Sequence, residues 1–155
     1  MKRMVFFMVA LMLLAFAACH KNSMSKIPKI ALVSMTPDSV RAGNSFDTVF
    51  IIFHLQDGDA DLGNDQSGTK YDIYMKDSRN DSVQGYFFPP IDQKIENPQY
   101  GIQGYCTFKL QGAFLIPRSD HILTGDTVHY DIYIKDRAQN ESNHITTPDI
   151  YIKPH

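Results

Sequence analysis

The sequence predicts an all-β protein, folded as an antiparallel β-sandwich of about seven strands. Three observations predict this class. Short runs alternate apolar with polar residues, and no stretch keeps a helical 3.6-residue period over three turns. Eight prolines and nine glycines separate the runs, and aspartate, which favours turns, outnumbers glutamate by fifteen to two. Short alternating strands divided by turn residues are typical of a two-sheet sandwich.

The first eighteen residues are typical of an export signal. Lys2 and Arg3 precede an uncharged stretch over residues 5–18, which is shorter than the roughly 20 apolar residues of a membrane span. Ala17, Ala18 and Cys19 close this stretch and resemble the lipobox of bacterial lipoproteins, although Phe16 stands where leucine is usual. The resemblance implies cleavage before Cys19, acylation of Cys19 and anchoring in a lipid bilayer. The alternative is an ordinary secretory signal that ends near a cysteine.

The mature chain then divides into a tether and one domain. Residues 19–28 comprise the lipidated cysteine and the tether, and the nine residues after the cysteine are polar and small and as a flexible coil reach about 15–18 Å. Residues 29–155 have the length of one domain. Loss of the leader leaves 13 Lys and Arg against 17 Asp and Glu, a formal charge of −4. Nucleic-acid binding is therefore not expected, because it normally requires a basic surface.

The strands follow from the alternation in chain order. In the best-defined one, residues 47–56, Val49, Ile51, Phe53 and Leu55 share one face. In the next, Tyr71, Ile73 and Met75 face inward, with Asp72, Tyr74 and Lys76 outward. We predict the remaining strands at residues 26–35, 83–88, 102–110, 113–116, 127–135 and 144–152. Cys106 lies on the apolar face of one of them and is interpreted as a buried structural thiol.

Two stretches carry a resemblance to known domains. Residues 71–77 (YDIYMKD) recur as residues 130–136 (YDIYIKD), and each strand ends in an aspartate. Residues 123–130 and 136–142 resemble the E–F corner and F–G turn of immunoglobulin-like and fibronectin type III domains, which implies an immunoglobulin-like sandwich. With residues 57–63 (DGDADLG), the mature chain is similar to small uncharacterised lipoproteins of the Bacteroidota. In that group an acidic run after the cysteine tends to mark surface display, so its absence favours the periplasmic side of the outer membrane.

An aspartate-rich turn is the main candidate for chemistry. Asp57, Asp59, Asp61 and Asp65 offer the carboxylate oxygens that calcium prefers. The spacing starts like an EF-hand loop and then departs from it, so a second loop must complete the site. Asp136 and Asn140 are the candidates if the two turns lie at one end of the sandwich. The alternative is a solvated turn without a metal.

Two outward tyrosines are the candidates for ligand binding. Tyr74 and Tyr133 occupy equivalent positions of the repeated strands and could stack on sugar rings or contact a protein. Cross-strand packing of the two rings is the alternative.

No motif of an enzyme class is present, so we expect no catalytic residues. The sequence predicts a membrane-anchored lipoprotein of the cell envelope that binds or supports other components, with calcium as a candidate stabiliser. Its expected partners are the bilayer and an envelope protein or glycan. The alternative function is a carbohydrate-binding accessory lipoprotein in glycan uptake.

Overall fold

The structure is a computed structural model that describes residues 24–63, 68, 70–89, 91, 96–97 and 99–154. Nearly all regular structure in these residues is β-strand, and the all-β prediction is confirmed. Two single-turn 3-10 helices, Gly112–Phe114 and Ser119–His121, are the exceptions. Among the described residues, no helix has the length and hydropathy that crossing a bilayer requires.

Ten strand segments follow one another along the chain. They are β1 Lys29–Thr36, β2 Ser39–Arg41, β3 Thr48–Asp57, β4 Ile73–Asp77, β5 Val83–Tyr86, β6 Ile102–Gln111, β7 Asp126–Val128, β8 Tyr130–Ile134, β9 Ile145–Thr146 and β10 Ile150–Lys153.

The described strands form three hydrogen-bonded sheets, with the orders β1-β3-β6, β5-β4-β8-β9 and β2-β10-β7. The last two follow one another along the chain from β7 to β8 and from β9 to β10, so we treat them as one layer and β1-β3-β6 as the other. Only His129 separates β7 from β8, and the amide of Tyr130 donates to Thr147 Oγ1 at 2.9 Å across the join. All pairings of the described strands are antiparallel except β2 with β10. This is the immunoglobulin-like sandwich that the sequence predicts.

The core lies between the layers, and β3 supplies its centre. Val49, Ile51 and Phe53 are fully buried, as the alternation predicts. From the other layer they meet the buried side chains Met75, Ile132, Ile134, Ile150 and Ile152. Burial of each such side chain is worth roughly 1.5–3 kcal/mol, so these alternating faces account for most of the driving force.

Apart from shifted strand ends and the division of residues 144–152 into β9 and β10, two predictions of local structure are wrong. Residues 113–116 were expected to form a strand, but the chain turns there in the 3-10 helix Gly112–Phe114. Gly112 donates its amide to Asp47 O at 2.7 Å, and a Cβ on it would lie 2.6 Å from Asn44 O, so the chain makes a tight corner.

The second error concerns the approach to β4, which begins at Ile73. Tyr71 is exposed, whereas Asp72 is fully buried. The Asp72 carboxylate accepts the amide of Phe88 at 2.7 Å, and this hydrogen bond holds the side chain inside. Strand alternation therefore does not extend to these two residues.

Candidate functional site

The aspartate-rich turn, which we call the Asp turn (residues 57–61), follows directly after β3. Asp57 is the last residue of that strand and Leu62, just past the turn, is buried in the core. Asp57 Oδ2 accepts the amide of Asp61 at 3.0 Å, which closes the turn. Ala60 sits inside it with φ of 57°, a conformation that non-glycine residues seldom adopt. Both ends of the turn are thus fixed by the sandwich.

Three carboxylates converge within the Asp turn. We call Asp57, Asp59 and Asp61 the acidic trio, and one carboxylate oxygen of each lies within 4.8 Å of the others. The Oδ1 atom of each is buried and has no hydrogen-bond partner among the described residues. Asp57 as a whole is 0% exposed. Buried carboxylate oxygens without a donor are costly, so this arrangement is suited to a cation.

The electrostatics of the trio agree with its geometry. Burial raises the pKa of Asp57 to about 7, and repulsion by Asp59 and Asp61 acts in the same direction. The pKa of Asp61 is also raised, by burial first and then by repulsion from Asp136 and Asp59. The negative charges are therefore held together at a cost that a bound cation would remove.

The second predicted turn lies beside the first, as expected for turns at one end of the sandwich. The amide of Arg137 donates to Asp61 O at 3.0 Å, and the amide of Ala138 donates to Asp61 Oδ2 at 3.3 Å. The carboxylate of Asp136, however, accepts the backbone amide and the side-chain amide of Asn140 at 2.7 and 2.8 Å. Asp136 and Asn140 thus satisfy each other next to the trio. Asp65, like Cys19, lies outside the described residues.

A contact that sequence reasoning missed lies on the Asp turn. The amide of Gly58 donates to Ser25 O at 2.7 Å. A Cβ on Gly58 would stand 2.4 Å from Met24 O and 2.6 Å from Ser25 O, so a larger residue would displace the N-terminal segment. Lys26 Nζ lies 3.9 Å from Asp59 Oδ2. The only signal in the sequence is a glycine between two aspartates, which by itself indicates a turn.

Tyr74 and Tyr133 lie directly opposite each other on β4 and β8. Their rings are stacked, with centroids 5.0 Å apart and planes 4° from parallel. The ring of His144 stacks on Tyr133 at 4.6 Å, and Lys135 Nζ lies 5.5 Å from the Tyr74 centroid. Tyr133 thus uses both ring faces for neighbours. These contacts favour the packing interpretation over a flat platform for sugars.

A shallow apolar groove runs beside β6, the outer strand of its sheet. Its volume is about 350 Å³, and Leu55, Phe88, Ile91, Ile102 and Cys106 line it. Burial raises the pKa of the Cys106 thiol to about 11, which makes this cysteine a poor nucleophile. The groove therefore offers hydrophobic surface rather than reactive groups.

Comparisons with known proteins give little further guidance. No protein-family model and no curated protein matches the chain. Among solved structures the chain is similar to the PKD domain of an M14-like peptidase from Thermoplasmatales archaeon SCGC AB-540-F20. The identity is 15%, the TM-score is 0.42, and the match covers 83% of this chain and 94% of the other. At this level nothing about activity or ligands follows from the likeness.

Proposed function

We propose that the protein is a lipid-anchored, non-catalytic binding or structural module of the cell envelope, in which calcium stabilises one end of the sandwich. The observation that carries the calcium proposal is the set of three buried Oδ1 atoms of the acidic trio, none with a donor among the described residues. A cation is the simplest group that satisfies all three at once.

Calcium fits this oxygen set better than other common cations. Two oxygens that bind the same calcium ion at about 2.3–2.6 Å lie at most about 5 Å apart, and the trio oxygens lie within 4.8 Å of one another. Calcium takes six to eight oxygens, so water and nearby backbone carbonyls complete its coordination. Magnesium keeps most of its own water, and zinc prefers histidine and cysteine ligands. The trio contains neither residue.

The membrane anchor is supported by the N-terminal sequence. Lys2 and Arg3, the uncharged residues 5–18 and the final Ala-Ala-Cys are together typical of a lipoprotein signal. Acylation of Cys19 with more than one chain would give stable membrane attachment, since a single acyl chain binds only marginally. We propose the periplasmic side of the outer membrane for the domain, because no acidic run follows Cys19.

The non-catalytic part of the proposal is supported by the chemistry of the described side chains. The thiol of Cys106 has a raised pKa because of burial, which disfavours the thiolate. The acidic trio sits in a partly buried turn, while the groove beside β6 is lined mainly by apolar side chains. Catalysis generally needs polar groups that converge where a substrate can reach them.

Thermal unfolding with and without calcium tests the metal site. We expect millimolar calcium to raise the melting temperature of the wild type and to leave Asp59→Asn/Asp61→Asn unchanged. The variant Asp38→Asn/Asp120→Asn is the matched control, because it removes two exposed aspartates and should keep the response. No shift in the wild type would contradict the calcium proposal.

Metabolic labelling tests the anchor separately. Radiolabelled palmitate should enter the wild-type protein and not Cys19→Ala, and the variant should leave the membrane fraction. A Cys19→Ala protein that remains membrane-bound would contradict lipid anchoring.

A further inference from the structure

The segment that connects the domain to its N-terminus rests on the Asp turn. We call Met24, Ser25 and Lys26 the tether segment. It precedes β1, and the hydrogen bond from Gly58 to Ser25 O extends the contact between β1 and β3 beyond the ends of both strands. Gly58 has no room for a Cβ because Met24 O and Ser25 O approach it so closely. The contact is therefore a close backbone-to-backbone contact that depends on the glycine.

The same turn that receives the tether segment also holds the acidic trio. Gly58 is flanked by Asp57 and Asp59. Its amide therefore lies on the same stretch of backbone that carries two of the trio side chains. We propose that cation binding to the acidic trio fixes the tether segment on the domain. Calcium would then regulate the length of free chain between the domain and its membrane anchor. This inference rests on the proposed calcium site.

The physical reason is the repulsion among the three carboxylates. Without a cation, these charges favour local openings of the turn, and each opening breaks the hydrogen bond from Gly58 to Ser25 O. A bound cation favours the closed turn, in which this amide points at the tether segment. Coupling of this kind is reciprocal, so docking of the tether segment must strengthen cation binding by the same factor.

The tether segment also carries the positive charge of Lys26, which favours release of the segment when a cation binds. Lys26 Nζ is 3.9 Å from Asp59 Oδ2, and a cation in the trio would weaken this attraction. The Lys26 side chain is 80% exposed, and an exposed pair of this kind contributes little. The backbone contact therefore outweighs the ion pair in the coupling between calcium and the tether segment. Calcium should hold the tether segment rather than release it.

The consequence for anchoring follows from chain length. If the nine residues after Cys19 were free, they would reach about 15–18 Å as a coil, whereas docking at Met24 would leave four of them and about 10–12 Å. Calcium would bring the Asp-turn end of the sandwich closer to the bilayer and restrict its rotation. Loss of calcium would lengthen the tether.

Limited proteolysis of the full-length protein in detergent tests the coupling. Trypsin cleaves after Lys26, and mass spectrometry reports that cut separately from the cut after the exposed Arg41, which serves as an internal reference. We expect calcium to slow cleavage after Lys26 by about five-fold or more beyond its effect on the cut after Arg41, which lies in β2 and reports opening of the sandwich as a whole. Hydrogen exchange at the Gly58 amide should slow in parallel.

Two variants separate the inference from the calcium proposal. Gly58→Ala should keep a calcium-dependent rise in melting temperature but lose calcium protection after Lys26, and its calcium affinity should fall. Lys26→Gln removes the ion pair with Asp59 but keeps the backbone contact. In this variant calcium should slow hydrogen exchange at the Gly58 amide as much as in the wild type. If calcium raises the melting temperature while Gly58 exchange and Lys26 cleavage stay unchanged or accelerate, the inference is overturned and the calcium site stands. If calcium does not raise the melting temperature, both fail.

Discussion

The two carboxylate oxygens of Asp57 have different hydrogen-bonding environments. Its Oδ2 accepts the amide of Asp61 at 3.0 Å, whereas its Oδ1 is buried without a donor among the described residues. The first oxygen closes the Asp turn, and one oxygen of this carboxylate lies within 4.8 Å of an oxygen of each of the other two trio carboxylates. One residue therefore shapes the turn and supplies a ligand atom, which links the calcium proposal to stability.

Asp57→Asn separates these two roles. The amide side chain keeps an oxygen for the Asp61 amide and replaces the unpartnered oxygen with a donor to its carboxylate neighbours. In EDTA we expect the variant to gain roughly 1–2 kcal/mol in free energy of unfolding, because a buried unsatisfied group is removed. In saturating calcium we expect it to be less stable than the wild type. Urea unfolding measures both values, and a loss of stability in EDTA would contradict the account.

Asp126 is the centre of a buried ion network at the start of β7. It accepts Arg118 Nη2 at 3.0 Å and Arg79 Nη1 at 3.4 Å, while Arg79 also pairs with Asp77 at 2.6 Å. Burial alone would raise the pKa of Asp126, but hydrogen bonds from Arg118 and Thr127 hold it well below its usual range.

Asp126→Ala should therefore destabilise the protein by about 1–3 kcal/mol, because it removes the buried acceptor of Arg118 and Thr127 and one of the two carboxylates that pair with Arg79. Since the folded-state pKa is lowered, the contribution of Asp126 is present above about pH 4 and is lost as the pH falls further. Urea unfolding at pH 7 measures the first effect, with Asp120→Ala as an exposed control. A cost below about 1 kcal/mol would contradict this role.

The stacked pair Tyr74 and Tyr133 should show coupled energetics. In a double-mutant cycle with alanine, we expect an interaction energy of about 0.5–1.5 kcal/mol in urea unfolding, as for other aromatic pairs. Strictly additive losses would contradict the stacking. Glycan-array binding that disappears in the double variant would instead support the carbohydrate-binding alternative.

His144 should make stability depend on pH near neutrality. Hydrogen bonds with Glu141 and then with Asp131 raise the pKa of its imidazole. A raised folded-state pKa means that the stabilisation is complete below the unfolded value of about 6.5 and is lost as the pH rises through the folded value. We expect the melting temperature to fall across this window in both proteins, because the raised pKa of Asp57 also acts there, and to fall less steeply in His144→Gln. An identical pH profile in both proteins would contradict this prediction.

Alternation predicted the sandwich because each strand must bury one face. It placed Val49, Ile51 and Phe53 in the core, and it failed where a contact distant in sequence decides the outcome. Asp72 is turned inward by the amide of Phe88. Gly112 bends the chain because Asn44 and Asp47 stand against it. Such partners are invisible in a local pattern.

The candidate site was likewise predicted only in part. The spacing of Asp57, Asp59 and Asp61 predicted a cluster, because a turn can bring alternate residues together. It could not show that Asp136 is already satisfied by Asn140, nor that the amide of Gly58 donates to Ser25 O. Both contacts depend on how the turn and its neighbours pack after folding.

Calcium titration by calorimetry tests the central claim most directly. The account predicts one site per chain in the full-length protein, with a dissociation constant at or below about 1 mM, as in extracellular calcium modules. The heat should vanish in Asp59→Asn/Asp61→Asn and persist in Asp38→Asn/Asp120→Asn. Absence of binding in the wild type, or binding that survives loss of the two trio carboxylates, would contradict the account.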